Sequence, residues 1–139
     1  FLPYGVSVDE FQHRVYENPT ATPADRHAMW KEIEDKYSPW TDYGDMEHPS
    51  SGGRWQAKRH IYMSPFYYID YTLAQTCALQ LWQAAEADRE RTLRDYVALC
   101  KRGGEVPFQE LVASANLISP FQEGCLKNVV AKSREALGV

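Results

Sequence analysis

Residues 64–87 read SPFYYIDYTLAQTCALQLWQAAEA, and this stretch decides the fold class. Ser64-Pro65 has the form of a helix start, since proline is favoured at the first helical position. Apolar side chains then recur with helical spacing at Phe66, Leu73, Cys77 and Leu81. We therefore predict one long central helix from Pro65 to about Ala87.

Asp70 is the unusual residue of this helix, because at 100° per residue it lies in the middle of the apolar arc. An unpaired carboxylate in that position would be costly. We therefore predict that Asp70 is buried and hydrogen-bonded. On the residues alone, a structural role in the core is favoured over catalysis.

The rest of the chain also has helical periodicity, and we predict an all-α bundle of five or six helices. A capping box at Ser7 and Glu10 predicts a helix from Ser7 to Glu17. Thr22-Pro23 starts a second helix that ends before Pro39, and a loop follows from Ser38 to Gly53. Three further helices are predicted to begin after Asp88, at Pro107 and at Ser119-Pro120, and to end at Gly103-Gly104, Asn116 and Gly138.

The composition is that of one ordinary globular domain. The 139 residues are 44% hydrophobic and 13% aromatic, which excludes a disordered class, and the net charge is −4. A nucleic-acid partner is not expected without a basic stripe, and no apolar run is long enough for a membrane span. We expect a single helical unit over residues 1–139, soluble and cytoplasmic.

The sequence predicts no metal site within this chain. None of the four histidines belongs to an H-E-x-x-H pair, and the three cysteines form no C-x-x-C pair and are expected to be buried free thiols. Glu10 and His13 form a single Glu-x-x-His, whereas di-iron bundles need two, so an exposed pair is the preferred interpretation. Calcium-loop spacing is also absent from the acidic residues of the long loop, which are Asp42, Asp45 and Glu47.

Chemistry-bearing side chains are concentrated in residues 54–71, which hold one histidine and four tyrosines. His60 lies just before the predicted helix, and Tyr68 and Tyr71 project near it from its first two turns. Such groups can donate hydrogen bonds to a developing oxyanion, but they supply no nucleophile. The residues alone therefore indicate an accessory part of a site.

The run HIY-x-x-PFYYIDY-x-x-AQ at residues 60–75, preceded by Trp55, resembles the C-terminal segment of oligoendopeptidase F, in the zinc-dependent M3 metallopeptidase family. The flanks resemble the same family, and the likeness extends over essentially the whole chain. The resemblance implies the C-terminal part of an M3 catalytic domain, without the zinc-binding part. The zinc ligands and the general-base glutamate of the family lie on an H-E-x-x-H helix and a later glutamate, both N-terminal to this region.

The resemblance also implies roles for individual residues. His60, Tyr68 and Tyr71 match the histidine and tyrosines that stabilise the tetrahedral intermediate, and Tyr67 is a candidate substrate contact. Short peptides are the implied substrates, and zinc is the implied cofactor of the parent enzyme, with no ligand in this chain.

The missing N-terminal part of the catalytic domain is the implied partner, so we expect no peptidase activity from this chain alone. An apolar face left bare by that part would also favour self-association. The competing hypothesis is a self-contained helical interaction module without catalytic activity.

Overall fold

A computed structural model describes residues 1–139, all of them in helices, turns or connecting segments, with no strand. The predicted all-α class is confirmed. Eight α-helices and one short 3₁₀ helix follow one another: α1 Leu2–Glu17, α2 Pro23–Tyr37, α3 Glu47–Ser50, the 3₁₀ helix Gly53–Ala57, α4 Arg59–Met63, α5 Ile69–Ala87, α6 Arg89–Arg102, α7 Phe108–Ser114 and α8 Cys125–Leu137.

Six of the α-helices have seven or more residues, in line with the five or six predicted. The other two, α3 and α4, have four and five residues. Helices this short complete little more than one turn, so they leave no periodic pattern in the sequence. None of the eight helices combines the length and the apolar character required to cross a bilayer.

The chain divides into two compact units, Phe1–Thr72 and Leu73–Val139, and the boundary falls within α5. Each unit is described by itself below. The single helical unit expected over residues 1–139 stays a prediction.

The first unit has an aromatic core. Trp30 of α2 lies edge-on to Phe11 of α1, with 5.4 Å between ring centroids, and Trp55 lies 4.9 Å from the same phenylalanine. Burial of such side chains contributes roughly 1.5–3 kcal/mol each. The buried cluster consists of Val8, Phe11, Trp30, Ile33, Trp55 and Tyr68.

The start of α1 differs from the prediction. The helix begins at Leu2, and Ser7 lies inside it, where its hydroxyl donates to the carbonyl of Pro3 at 2.9 Å. The predicted capping box at Ser7 is therefore wrong, because the serine satisfies a backbone carbonyl of its own helix instead. The start of α2 is confirmed, with Thr22 and Asp25 forming a reciprocal capping box.

The start of α5 also differs. The helix begins at Ile69 and not at Pro65, because Phe66 has a φ of 61°, a left-handed conformation incompatible with a continuing helix. The buried positions are Thr72 and Thr76 of this shorter helix, with Tyr68 one turn before Thr72, just ahead of the helix start. Asp70 lies off that line and is exposed, so the prediction that it is buried is wrong.

In the second unit, Gln80 of α5 fixes the turn that follows α7. Its side-chain amide donates to the carbonyl of Ile118 at 2.9 Å and accepts from the Ile118 N–H at 2.9 Å. Asp88 caps α6 as predicted, accepting from the Arg91 N–H at 3.0 Å. Helix α8 begins at Cys125, six residues after the predicted start at Ser119, because Gly124 takes a left-handed conformation with a φ of 84°.

All three cysteines are free thiols, as predicted, but their burial differs. Cys125 is buried and Cys77 is half-buried, whereas Cys100 is exposed. The prediction that all three cysteines are buried is therefore wrong. Burial, with a smaller contribution from Cys125, raises the pKa of Cys77 to about 11. This thiol is therefore protonated and unreactive near neutral pH.

Candidate functional site

Three tyrosine rings surround His60 in the first unit. The His60 ring centroid lies 5.1 Å from that of Tyr68, 5.9 Å from Tyr71 and 6.3 Å from Tyr67. Tyr71 in turn lies 5.1 Å from Tyr67 and 5.4 Å from Tyr68. The structure thus brings together all four of the site residues that the sequence analysis named.

A tight turn between α4 and α5 makes this arrangement. His60 is on α4 and Tyr71 is in the first turn of α5, and residues 64–68 connect the two helices. The N–H of Phe66 donates at 2.9 Å to the side-chain oxygen of Gln12, which is only 1% exposed. Gln12 therefore anchors the turn that carries Tyr67 and Tyr68, a role that no local pattern in the sequence indicates.

The three tyrosines differ in their access to solvent. Tyr67 is 44% exposed and Tyr71 is 40% exposed, whereas Tyr68 is only 7% exposed. Hydrogen bonding to Tyr71 raises the pKa of Tyr67 above its ordinary value. Tyr67 therefore keeps its proton near neutral pH, and the exposed pair offers hydroxyl groups on the open side of the cluster.

Tyr68 is held from its buried side by groups that the sequence analysis missed. Its ring lies edge-on to Tyr4, with 5.9 Å between centroids, and 6.3 Å from Phe1. The Lys58 ammonium donates to the Tyr68 hydroxyl over 3.4 Å. Lys58 lies two residues before His60, within the 54–71 stretch, and this closeness in sequence was the only available signal.

Tyr62, the fourth tyrosine of the 54–71 stretch, lies outside the ring cluster around His60. It stacks on Trp55, with 6.0 Å between centroids and 29° between ring planes. Burial raises the pKa of Tyr62. Tyr62 is 56% exposed, so this stacking covers only part of its ring.

No three His, Cys, Asp or Glu residues of the chain lie close enough together to hold a metal ion. Glu10 is instead bound by Arg14 at 2.7 Å, Lys36 at 2.9 Å and Tyr37 at 2.7 Å. His13 is 60% exposed and contacts Asp9 at 3.5 Å. These contacts support the structural interpretation of the Glu-x-x-His pair.

The arrangement can donate hydrogen bonds but cannot by itself attack a substrate. An imidazole and three phenols offer N–H and O–H groups that can donate hydrogen bonds, but these groups are not the activated nucleophiles of covalent catalysis. Groups of this kind stabilise negative charge that develops on a substrate oxygen.

Comparison with solved structures gives three close matches, each covering 99% of this chain. A chain named oligoendopeptidase F is 57% identical with a TM-score of 0.95, and the match covers 24% of that chain. PZ peptidase A, solved with an inhibitor, is 54% identical with a TM-score of 0.95 and 25% of its chain covered. A chain from Bacillus anthracis strain Ames, also named oligoendopeptidase F, is 50% identical with a TM-score of 0.78 and 21% covered.

This chain therefore spans about a quarter or less of the length of those solved chains. No curated protein matches it. The model of peptidase family M3 matches residues 1–130, which is nearly the whole sequence. With that match and identities of 50% or more to the solved chains, the chain belongs to peptidase family M3.

Proposed function

We propose that this chain is the C-terminal part of a zinc-dependent endopeptidase that hydrolyses short peptides. The observation that supports the proposal is the cluster of His60 with Tyr67, Tyr68 and Tyr71, two of whose phenols are open to solvent. In the complete enzyme this cluster would face the scissile peptide bond.

His60, Tyr68 and Tyr71 would donate hydrogen bonds to the oxyanion that forms when the peptide carbonyl is attacked. A single donor of this type is worth roughly 10²–10³ in turnover. Tyr67, the most exposed of the three tyrosines, would contact the peptide itself.

Zinc would be held by other residues of the complete enzyme, because this chain offers no group of three ligands. The contribution of this chain is therefore the orientation of the substrate and of the hydrogen-bond donors. On this proposal the isolated chain has no peptidase activity.

The rest of the catalytic domain is the proposed partner. The second unit carries large apolar side chains on exposed helix faces, a pattern typical of surfaces that pack against other protein. They are Leu93 and Val97 of α6 and Leu126, Val130 and Leu137 of α8. The same faces would support self-association of the isolated chain, which sedimentation at increasing concentration would detect.

The catalytic roles can be tested with His60→Ala and Tyr71→Phe in the complete zinc-loaded peptidase. Turnover of a fluorescence-quenched peptide is expected to fall roughly 10²–10³-fold in each variant, with zinc content and melting temperature nearly unchanged. Tyr16→Phe is the matched control, because Tyr16 is 58% exposed and lies outside the cluster.

A structural role would give the opposite result. Tyr71→Phe would then cost on the order of 1 kcal/mol of stability and leave turnover largely intact. Near-normal turnover in both variants would refute the catalytic assignment.

A further inference from the structure

Lys58 occupies a defined place behind the tyrosine cluster. It joins the 3₁₀ helix to α4, and its ammonium lies 4.7 Å from the ring centroid of Tyr68 and 5.0 Å from that of Tyr4. Two ring faces at these distances attract a cation. The side chain is therefore held between two aromatic rings and directed at the phenol of Tyr68.

The hydrogen bond from Lys58 fixes the role of the Tyr68 oxygen. The Lys58 ammonium lies 3.4 Å from that oxygen, and an ammonium has donors but no lone pair to accept with. Tyr68 must therefore accept in this contact. Its own O–H then points elsewhere and is available as a donor, and the adjacent positive charge strengthens it in that role.

Other members of the proposed catalytic group lie close to Tyr68. The His60 ring centroid lies 5.1 Å from that of Tyr68, and the ring of Tyr71, which is 40% exposed, lies 5.4 Å from it. Tyr4 and Phe1 cover other parts of the Tyr68 ring. Lys58 thus constrains a buried tyrosine whose hydroxyl belongs to the proposed catalytic group.

We propose that Lys58 is a positioning residue that keeps the Tyr68 hydroxyl in its donor orientation toward the reacting carbonyl. The inference rests on the proposed function, since it assigns Lys58 to the same group of donors. Lys58 does not touch the substrate in this proposal and acts only through Tyr68.

The charge on Lys58 persists under ordinary assay conditions. Burial opposes the charged form, but the interactions with Tyr4 and Tyr68 outweigh it, and the pKa of Lys58 lies above its usual value. An ammonium is therefore present throughout the neutral range.

A double-mutant cycle in the complete zinc-loaded peptidase tests this proposal. The variants are Lys58→Met, Tyr68→Phe and the pair together, assayed with a fluorescence-quenched peptide. Lys58→Met is expected to lower kcat roughly tenfold with little change in KM, since a hydrogen bond to a charged group is lost. In the Tyr68→Phe background the same change is expected to lower kcat by less than about twofold, because the acceptor is already absent.

Two further variants separate positioning from a general structural effect. Lys58→Arg keeps the cation and its donors and is expected to retain most of kcat. Arg59→Met removes the adjacent cation, which is exposed at the start of α4, and is expected to leave kcat unchanged. If Lys58→Met melts below the assay temperature, Lys58→Gln replaces it in the cycle.

The outcomes distinguish this inference from the proposed function. An unchanged kcat in Tyr68→Phe alone would refute the oxyanion role of Tyr68, and this inference with it. A lowered kcat in Tyr68→Phe, combined with no effect of the lysine change or with equal effects in both backgrounds, would overturn the role of Lys58 alone.

Discussion

Replacement of Glu34 by glutamine tests how much a buried charge network stabilises the first unit. The Glu34 side chain is only 5% exposed, and Arg54 binds its Oε1 at 3.0 Å. The Tyr43 hydroxyl donates to the same oxygen and accepts from Arg54 at 2.7 Å. Burial, followed by the hydrogen bond to Glu34, raises the pKa of Tyr43 to about 12, so Tyr43 stays a donor near neutral pH.

The expected cost follows from the two hydrogen bonds to the carboxylate. A hydrogen bond to a charged group contributes about 1.5–3 kcal/mol and a neutral one about 0.5–1.5 kcal/mol. Glu34→Gln keeps the shape but removes the carboxylate charge, so the Tyr43 contact becomes a neutral hydrogen bond and the Arg54 contact loses its ion-pair attraction, which costs about 1 kcal/mol each. Because Arg54 is 41% exposed and regains some hydration, the expected total is about 2 kcal/mol at most.

Urea unfolding followed by circular dichroism at pH 7 would measure this loss. Glu32→Gln is the matched control, because Glu32 lies on the same helix and pairs with Arg14 at 3.0 Å but is 71% exposed. Its expected cost is below about 0.5 kcal/mol. Equal losses in the two variants would refute the argument that burial makes the Glu34 contacts stronger.

Three further predictions concern packing, pH and zinc. Gly5→Ala should destabilise the chain by about 1–3 kcal/mol in thermal unfolding, because an added Cβ would lie 1.9 Å from the Thr72 hydroxyl oxygen; an unchanged melting temperature would contradict it. Hydrogen bonding by Lys36 is the largest cause that lowers the pKa of Glu10 to about 2, so its ion pairs stabilise the folded chain above about pH 4.5 and are lost as the pH falls toward 2. Between about pH 4.5 and pH 2, the free energy of unfolding should therefore fall by about 1 kcal/mol less in Glu10→Gln than in the exposed control Glu17→Gln, after allowance for solvent screening. Equal losses of unfolding free energy in the two variants would count against this prediction. Zinc should not remain with the isolated chain after dialysis, and atomic absorption near one zinc per chain would refute the prediction.

Local features of the structure could be predicted wherever neighbouring residues decide them. The all-α class follows from apolar spacing, and the starts of α2 and α6 follow from Thr22 with Pro23 and from Asp88. These signals work because a cap and its partner lie within four residues of each other. The proximity of His60 to Tyr68 and Tyr71 could also be predicted, because the three residues are near one another in the sequence and only eleven positions separate His60 from Tyr71.

Contacts between distant residues were decided by the tertiary structure alone. Phe66 takes a left-handed conformation in the turn before α5, and its N–H donates to the side chain of Gln12, 54 residues earlier in the chain. This turn moves the start of α5 to Ile69. Asp70 is exposed as a consequence, although the periodicity placed it in the core.

The surroundings of Tyr68 show the same division. The motif identifies Tyr68, but only the structure shows that Tyr68 contacts Tyr4 of α1, near the start of the first unit. Periodicity reports which side chains share a face of one helix, whereas packing between elements determines which face is buried and which donor meets which acceptor. The sequence by itself therefore determined the all-α class and the proximity of His60 to Tyr68 and Tyr71, and the tertiary structure decided how Tyr68 is held among its neighbours.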